Sequence, residues 1–396
     1  MANGIKDSYD VVIAGAGPAG SSLAIRLATS GLSVLLVEQK RFPREKLCGE
    51  FISPECITHF QELGMSEEIT NAGAIPLLET VFYSRSGKGV SIRSEWFGTT
   101  GSYALGLSRG EMDRMLMERA ISVGVDVRDE TSVCSLLTEN GRVVGVKIKN
   151  KYGHSAEVFA KLTVDATGRT RSLARRFRTR IDATGPAKHV AFKTHLRGVR
   201  LDAGACEIYV YRGGYGGCNL VEDDLYNLCF IVSAEDTKRL ASVAEDVMRE
   251  IVFTNKRARL AMQDAVVAKP WLAVPIERFG RGELVPADGI IAIGDAAAFI
   301  DPFTGSGILV ALESAKIAAA AITTSGDKVA DFNAIADSYR QNYAAAFNSR
   351  LRLCSWLRHA SFVPMLAEST LSLLSISTAV RKQLARATRM IPSFRI

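Results

Sequence analysis

The run from Ser8 to Gln39, SYDVVIAGAGPAGSSLAIRLATSGLSVLLVEQ, constrains the fold more than any other part of the chain. Asp10 to Ala14 is a short apolar, β-branched stretch of the kind that forms a fully buried parallel strand. Gly15, Gly17 and Gly20 follow as Gly-x-Gly-x-x-Gly: the first permits a tight turn, the second lets backbone approach a pyrophosphate, and the third lets helix and strand pack closely. Pro18 and Ala19 open a helix predicted to run to Thr29, whose N-terminal amides and positive dipole end face that phosphate. Gly31 closes the helix, and Ser33 to Val37 forms a second strand. Glu38 and Gln39 end that strand where a carboxylate accepts the hydroxyl protons of an adenosine ribose. An acid at that place argues against a 2′-phosphate. Strand, triplet, helix, strand and acid in this order predict a dinucleotide-binding βαβ unit.

Composition agrees with a large globular protein: 396 residues, 47% hydrophobic and 23% charged, without low-complexity tracts. The seven cysteines form no Cys-x-x-Cys pair, and MANGIKDSYD carries neither an apolar signal core nor a cleavage site, so a reducing, cytoplasmic setting is expected. The five histidines show no metal-ligand spacing, and no metal site is expected.

The net charge of +7 is concentrated at the C-terminus: from Arg350 to Ile396 there are eight Lys and Arg against one acid, Glu368. Between the basic clusters lies ASFVPMLAESTLSLLSISTAV, apolar but interrupted by Pro364 and Glu368, which argues against a spanning helix. Residues 350–396 suit peripheral contact with an anionic membrane at its inner face, or closure over an apolar site, or a packed helix pair with a basic rim. Nucleic-acid binding is not expected, because the basic residues lack interleaved aromatics.

Three further segments bear on the cofactor. Leu107-Ser108-Arg109-Gly110-Glu111-Met112-Asp113 opens a helix in which Arg109 can reach a phosphate and Asp113, one turn on, can pair with it. Leu162-Thr163-Val164-Asp165-Ala166-Thr167-Gly168 is an apolar strand ending in Asp165 and a glycine turn, where Gly168 lets backbone pass close to a ligand. Gly289 to Ile293 is a strand leading into Gly294-Asp295-Ala296-Ala297-Ala298 and then Phe299 to Gly307, before the helix ILVALESAKIAAAAI. Asp295 is placed to bond a ribityl hydroxyl. The amides around Pro302, Gly305, Ser306 and Gly307 open a helix N-terminus suited to a ring that carries negative charge when reduced.

In order and spacing these segments resemble the FAD-dependent oxidoreductases of the p-hydroxybenzoate hydroxylase fold, over about the first 325 residues. Phe42-Pro43-Arg44-Glu45-Lys46-Leu47-Cys48-Gly49-Glu50 and the Glu313-Ser314 helix look, more narrowly, like the geranylgeranyl reductase branch, whose members carry a Lys-x-Cys-Gly segment beside the flavin. The resemblance implies FAD, with Lys46, Cys48 and Gly49 next to it and Cys48 as the candidate catalytic residue. The alternative for Cys48 is a small thiol that only packs.

The chain also departs from its relatives. Ala298 and Asp301-Pro302 stand where aromatic hydroxylases have a His and a Pro-Pro pair; the reductases' aromatic-Pro-Lys strand motif is missing. Trp96, Trp271 and Trp356 do not form the Trp-x-Trp-x-x-Pro motif of flavin halogenases, which disfavours halogenation, although Phe299-x-x-Pro302-x-x-x-Ser306 is faintly similar to a halogenase segment.

The fold expected is α/β: a discontinuous FAD-binding Rossmann-like domain (1–75, 100–180, 270–330), an antiparallel substrate sheet (76–99, 181–269) and a C-terminal helical region (331–396). Strands are predicted over 188–198, 206–212, 217–221 and 225–233, joined by a pair around 78–93, with Tyr209, Tyr211, Tyr215 and Asn219 facing a cavity. No second Gly-x-Gly-x-x-Gly unit follows, so NAD(P)H docks transiently or a reduced protein supplies electrons. The substrate expected is small and apolar. Two chemistries compete: reduction of a carbon–carbon double bond, which the Cys48 segment and the Glu313-Ser314 helix favour, and, as the alternative, oxygen transfer to an electron-rich aromatic or polyketide-type substrate; a flavin-binding module without turnover leaves the Cys48 segment unexplained.

Overall fold

In the computed structural model, which describes residues 6–97, 102–177, 187–276, 279–299, 305–324, 329, 331–362 and 377–389, the first strand is Ser8–Ala14. It pairs in parallel with Val34–Val37 on one side and with the end of Ser155–Asp165 on the other. Val11 and Ile13 pack on helices while Val12 packs with Val146 and Val158, so both faces are covered and the run is apolar throughout. The sheet order is Asp126–Arg128, Val34–Val37, Ser8–Ala14, Ser155–Asp165, Arg142–Asn150, Thr131–Glu139, with Ile290–Ala292 parallel to the last residues of Ser155–Asp165.

Ser155–Asp165 is longer than the stretch from Leu162 that sequence alone assigned, because it changes partners midway. Its first half pairs antiparallel with Arg142–Asn150 and alternates exposed with buried residues; its last four residues enter the parallel core and are all buried. The hairpin Thr131–Glu139 to Arg142–Asn150, not anticipated, turns at Asn140-Gly141, both left-handed with φ of 49° and 81°. Asn-Gly between two strands is the strongest short-range hairpin signal, and it was present in the sequence.

The second sheet runs Val266–Val267, His189–Arg197, Leu225–Ser233, Gly214–Val221, Ala205–Tyr211, Glu79–Tyr83, Gly89–Arg93, antiparallel except that Glu79–Tyr83 lies parallel to Ala205–Tyr211. Leu272–Ile276, expected in the cofactor domain, pairs with His189–Lys193 of this sheet instead. One face is sealed by Val247, Met248, Val252 and Ala258 of the helical segment 244–262. The other face looks back toward the strand ends of the first sheet.

The helix Gly307–Thr324 is long and apolar enough to cross a membrane by length and composition, but it is mostly buried, packed on helix Pro18–Thr29. The 331–396 region does not begin as a separate unit. Phe332, Ile335, Tyr339 and Phe347 of helix Phe332–Phe362 share a core with Val11 and Ile13, and the Tyr339 hydroxyl donates to the Ala292 carbonyl (2.8 Å). Helix Thr378–Arg389 packs back on the second sheet, Arg381 donating to the Ser91 carbonyl (2.9 Å) and lying over the Trp96 ring. Residues 363–376 and 390–396, which carry much of the expected membrane contact, lie outside the described residues.

Gly20 sits where a Cβ would meet the Gly15 carbonyl oxygen at 1.9 Å. Alanine in a helix is favoured over glycine by about 1 kcal/mol. The clash is with backbone that cannot move without moving the strand, at a cost of about 1–3 kcal/mol or more. Gly20→Ala is therefore expected to lower stability in urea denaturation, and an unchanged or higher midpoint would refute this account of the crossing.

Candidate functional site

A cavity of about 830 Å³ opens between the C-terminal ends of the parallel strands and the free face of the second sheet. Ligands of open α/β sheets bind at such strand ends. Most of these strands contribute their end or the turn after it. Gly15, Gly17, Pro18 and Ala19 line the cavity from the first turn, Glu38 and Gln39 from the second strand, and Gly168 from the turn after Asp165. Asp295, Gly305 and Gly307 line it at the start of helix Gly307–Thr324, and Arg109 at the start of helix Arg109–Ser122. Lys46, Cys48 and Gly49 complete that side. Gly15 needs its freedom: its φ is +105°, and a Cβ would lie 2.4 Å from the Ala166 carbonyl oxygen.

Other expected cofactor residues stand behind this wall. Asp165 does not line the cavity: its carboxylate accepts from Thr167 N (3.0 Å) and Oγ1 (2.6 Å), Leu173 N (3.2 Å) and Ala174 N (2.8 Å), so it is spent shaping the glycine turn. Gly20 serves the helix crossing. Gly294, at φ +58°, passes against Ala19, and its N–H donates to Ser314 Oγ (2.9 Å). Glu313 pairs with His59 (3.0 Å), so the Glu313-Ser314 pair supports the wall from behind. Ser306 is buried, and Pro302 lies outside the described residues.

Charge gathers at the glycine turn. Arg109 grips Asp113 through Nε and Nη2 (2.9 and 2.8 Å), and Arg44 bridges Asp113 (3.1 Å) and Glu38 (3.2 Å). Both guanidinium Nη2 atoms lie just under 4 Å from where a Cβ on Gly17 would stand. Burial, with Arg44 and Arg109 beside it, lowers the Lys46 pKa. Arg109 is raised although burial opposes it, through Asp113 and Cys48. Burial raises Asp295, with Arg109, Lys46 and Arg169 opposing the shift. Arg44 Nε is buried without an acceptor among the described residues. Crowded cations, an orphaned donor and a turn without a Cβ suit a dianionic group such as a pyrophosphate. Arg44 went unnoticed in the sequence, because nothing local ties it to Glu38 or Asp113.

A second charged cluster was also missed. Glu50, wholly buried, accepts from Arg109 N (2.8 Å) and Lys193 Nζ (2.5 Å) through Oε1, and pairs with His195 Nε2 (2.7 Å) through Oε2. Glu45 pairs with Lys193 (3.0 Å) and Lys269 (2.7 Å). Burial alone would raise Glu50, but His195 and Lys193 bring it below the ordinary carboxylate range; burial would lower Lys193, but Glu50 and Glu45 hold it up. Glu45, Glu50 and His195 are close enough to share a metal ion, yet the Lys193 ammonium already sits against both carboxylates. The available signal was the pair of charged residues two apart on a strand of otherwise buried character, which places them on one face.

On the substrate side, Tyr215 and Asn219 line the cavity, together with Phe82, Ile92, Phe97, Ile208 and Val210. Tyr209 and Tyr211 do not. Successive strand residues point to opposite faces, and these two tyrosines face the helices, their hydroxyls donating to Glu207 Oε2 (2.9 Å) and the Ile231 carbonyl (3.1 Å). Ile208 and Val210 take the cavity face of that strand. Asn219 donates to the Glu50 carbonyl (3.4 Å).

Comparison with known proteins places this geometry. The FAD binding domain family model matches residues 8–342. A digeranylgeranylglycerophospholipid reductase of Methanosarcina acetivorans is 29% identical over 326 residues, covering 79% of this chain and 75% of the relative. A 1H-pyrrole-2-carbonyl-(peptidyl-carrier protein) chlorinase of Pseudomonas fluorescens is 27% identical, covering 78% and 74%. A solved geranylgeranyl bacteriochlorophyll reductase-like protein from Thermoplasma acidophilum superposes with a TM-score of 0.81 at 20% identity over 96% of each chain. A flavin-dependent brominase gives 0.77 at 24%, covering 96% of this chain and 93% of the other. At these identities the structural matches establish a shared fold.

The Glu45 pKa is lowered from 4.5 to about 2: burial opposes the shift, and Lys269 and Lys193 outweigh it. A carboxylate depressed on folding adds stability above its unfolded pKa and loses it as pH falls toward the folded one. Glu45→Gln is therefore expected to flatten the acid limb of stability between about 4.5 and about 2. Thermal melts across that window check it; an unaltered limb would overturn the assignment.

Proposed function

The chain belongs to the FAD binding domain family and is an FAD-dependent oxidoreductase, and from that premise we propose that it reduces a carbon–carbon double bond in a largely apolar substrate. The observation that carries this is the placement of Cys48, on the wall of the cavity that also holds the glycine turn, across from the apolar face of the second sheet. Similarity to a digeranylgeranylglycerophospholipid reductase supports it.

The residues present fit FAD. The Gly17 turn with Arg44 and Arg109 would hold the pyrophosphate, Glu38 the adenosine ribose, Asp295 a ribityl hydroxyl, and the start of helix Gly307–Thr324 the ring edge. When bound, FAD supplies hydride transfer, recharged by NAD(P)H or a reduced protein donor. The protein's part is positioning and a proton. Cys48 Sγ accepts from the Glu50 N–H (3.3 Å), and the Cys48 carbonyl accepts from Asn227 Nδ2 (3.2 Å), so the thiol is held in place. Cys48 would give its proton to one carbon of the alkene as the other is reduced, and water would reprotonate the thiolate. The apolar sheet face excludes water from the double bond.

The second candidate is oxygen-dependent chemistry, halogenation above all, favoured by similarity to the pyrrole-carrier chlorinase over nearly the same share of the chain. The lack of the Trp-x-Trp-x-x-Pro motif speaks against it, as does the lack of the Pro-Pro pair against hydroxylation.

Anaerobic, chemically reduced enzyme is expected to saturate a polyprenyl alkene, seen by mass spectrometry. Cys48→Ala should slow that step by roughly a hundredfold, the usual scale for losing a general acid, and Cys48→Ser by less. Product that forms only with O₂, carrying oxygen or added halide, would sink the reductase; full activity in Cys48→Ala and Cys48→Ser would remove the thiol from the mechanism.

A further inference from the structure

Cys48 owes its place to a turn that would not hold itself. Glu50, two residues on, has φ of +51°, a left-handed conformation that a residue with a side chain keeps only when its surroundings over-determine it. The surroundings do so. Its carboxylate is bound at once by the first amide of helix Arg109–Ser122 and by Lys193 and His195 of the second sheet, all buried. The main chain is fastened to the same sheet, Asn227 Nδ2 donating to the Cys48 carbonyl (3.2 Å) and Asn219 Nδ2 to the Glu50 carbonyl (3.4 Å). His195, Asn227 and Asn219 stand opposite one another on three neighbouring strands, so they form a polar row across the face that also carries Lys193.

Such a row is a poor way to gain stability. Buried ion pairs often contribute less than apolar side chains of the same shape, because desolvation offsets their attraction. What they supply is geometry: each bond has a direction, and together they admit one orientation of the turn.

We propose that Glu50, Lys193 and His195 are positioning residues for Cys48: they clamp the 48–50 turn between the Arg109 helix and the second sheet and thereby aim the thiol into the cavity. The functional weight of this clamp rests on Cys48 being the proton donor proposed above. If the clamp is weakened, Glu50 relaxes from its left-handed conformation and the thiol turns from the cavity.

The test is the rate at which iodoacetamide alkylates Cys48 in the full-length protein with excess FAD, resolved from the other cysteines by peptide mass spectrometry. Measurements are made where circular dichroism shows every variant folded. Lys193→Met and Glu50→Ala are expected to slow alkylation of Cys48 by up to roughly a hundredfold, the scale of a 1 Å misplacement, while Lys193→Arg restores it. Glu50→Gly, in which the left-handed turn carries no strain, is expected to slow it less than Glu50→Ala. If Glu50→Ala does not fold, His195→Gln takes its place. Wild-type alkylation rates in these variants, with only thermal stability lowered, would show a mere strut and overturn the proposal. The measurement needs no turnover, so failure of the clamp is distinguishable from failure of the reductase assignment, which Cys48→Ala turnover decides.

Discussion

The cavity exists because three backbone crossings are made without side chains in the way. Helix Pro18–Thr29 crosses the first turn at Gly20, that turn touches the end of the central strand at Gly15, and the segment before helix Gly307–Thr324 passes Ala19 at Gly294. A Cβ at these positions would lie 1.9, 2.4 and 2.8 Å from the nearest atoms. These approaches set the height of every strand end relative to the others, and so fix where Glu38, Ala166 and Asp295 face one another. A floor built of backbone leaves amides exposed and no side-chain bulk, which is the surface a phosphate needs.

On that floor the side chains divide the cavity by polarity. Arg44, Lys46 and Arg109 crowd beside the glycine turn, and Glu38 and Asp113 only partly balance them. The opposite wall is the free face of an antiparallel sheet, mostly apolar apart from Lys193 and one polar row. The segment from Arg44 to Glu50 joins the halves: it supplies two cations to the charged end, Cys48 to the middle, and Glu50 to the sheet. A redox cofactor bound at the first end and an apolar compound at the second would meet beside Cys48.

The features legible in the sequence were those whose signal is local. The βαβ unit is written in adjacent residues, and its helix has the expected bounds, Pro18–Thr29. The substrate strands showed through alternation and turn residues. Their facing did not: Tyr209 and Tyr211 looked like cavity residues by chemistry but lie on the helix side, because a period of two sets opposite faces without saying which face is covered. Asp165 looked like a ligand and is a turn residue, its oxygens taken by neighbouring amides. The Asn140-Gly141 hairpin and the Lys193/His195 spacing were legible and passed over, whereas the contact of Arg44 with Asp113 is made only by packing between distant segments.

By itself the sequence determined the cofactor class, because a dinucleotide turn is built from neighbours whose spacing is the geometry. Tertiary structure decided which residues share the cavity. Glu50, Lys193 and His195 meet across about 145 positions of chain, and only the packing of the second sheet against the Arg109 helix brings them together. The glycine triplet announces a nucleotide; where the thiol points beside it is a property of two sheets closing on one turn.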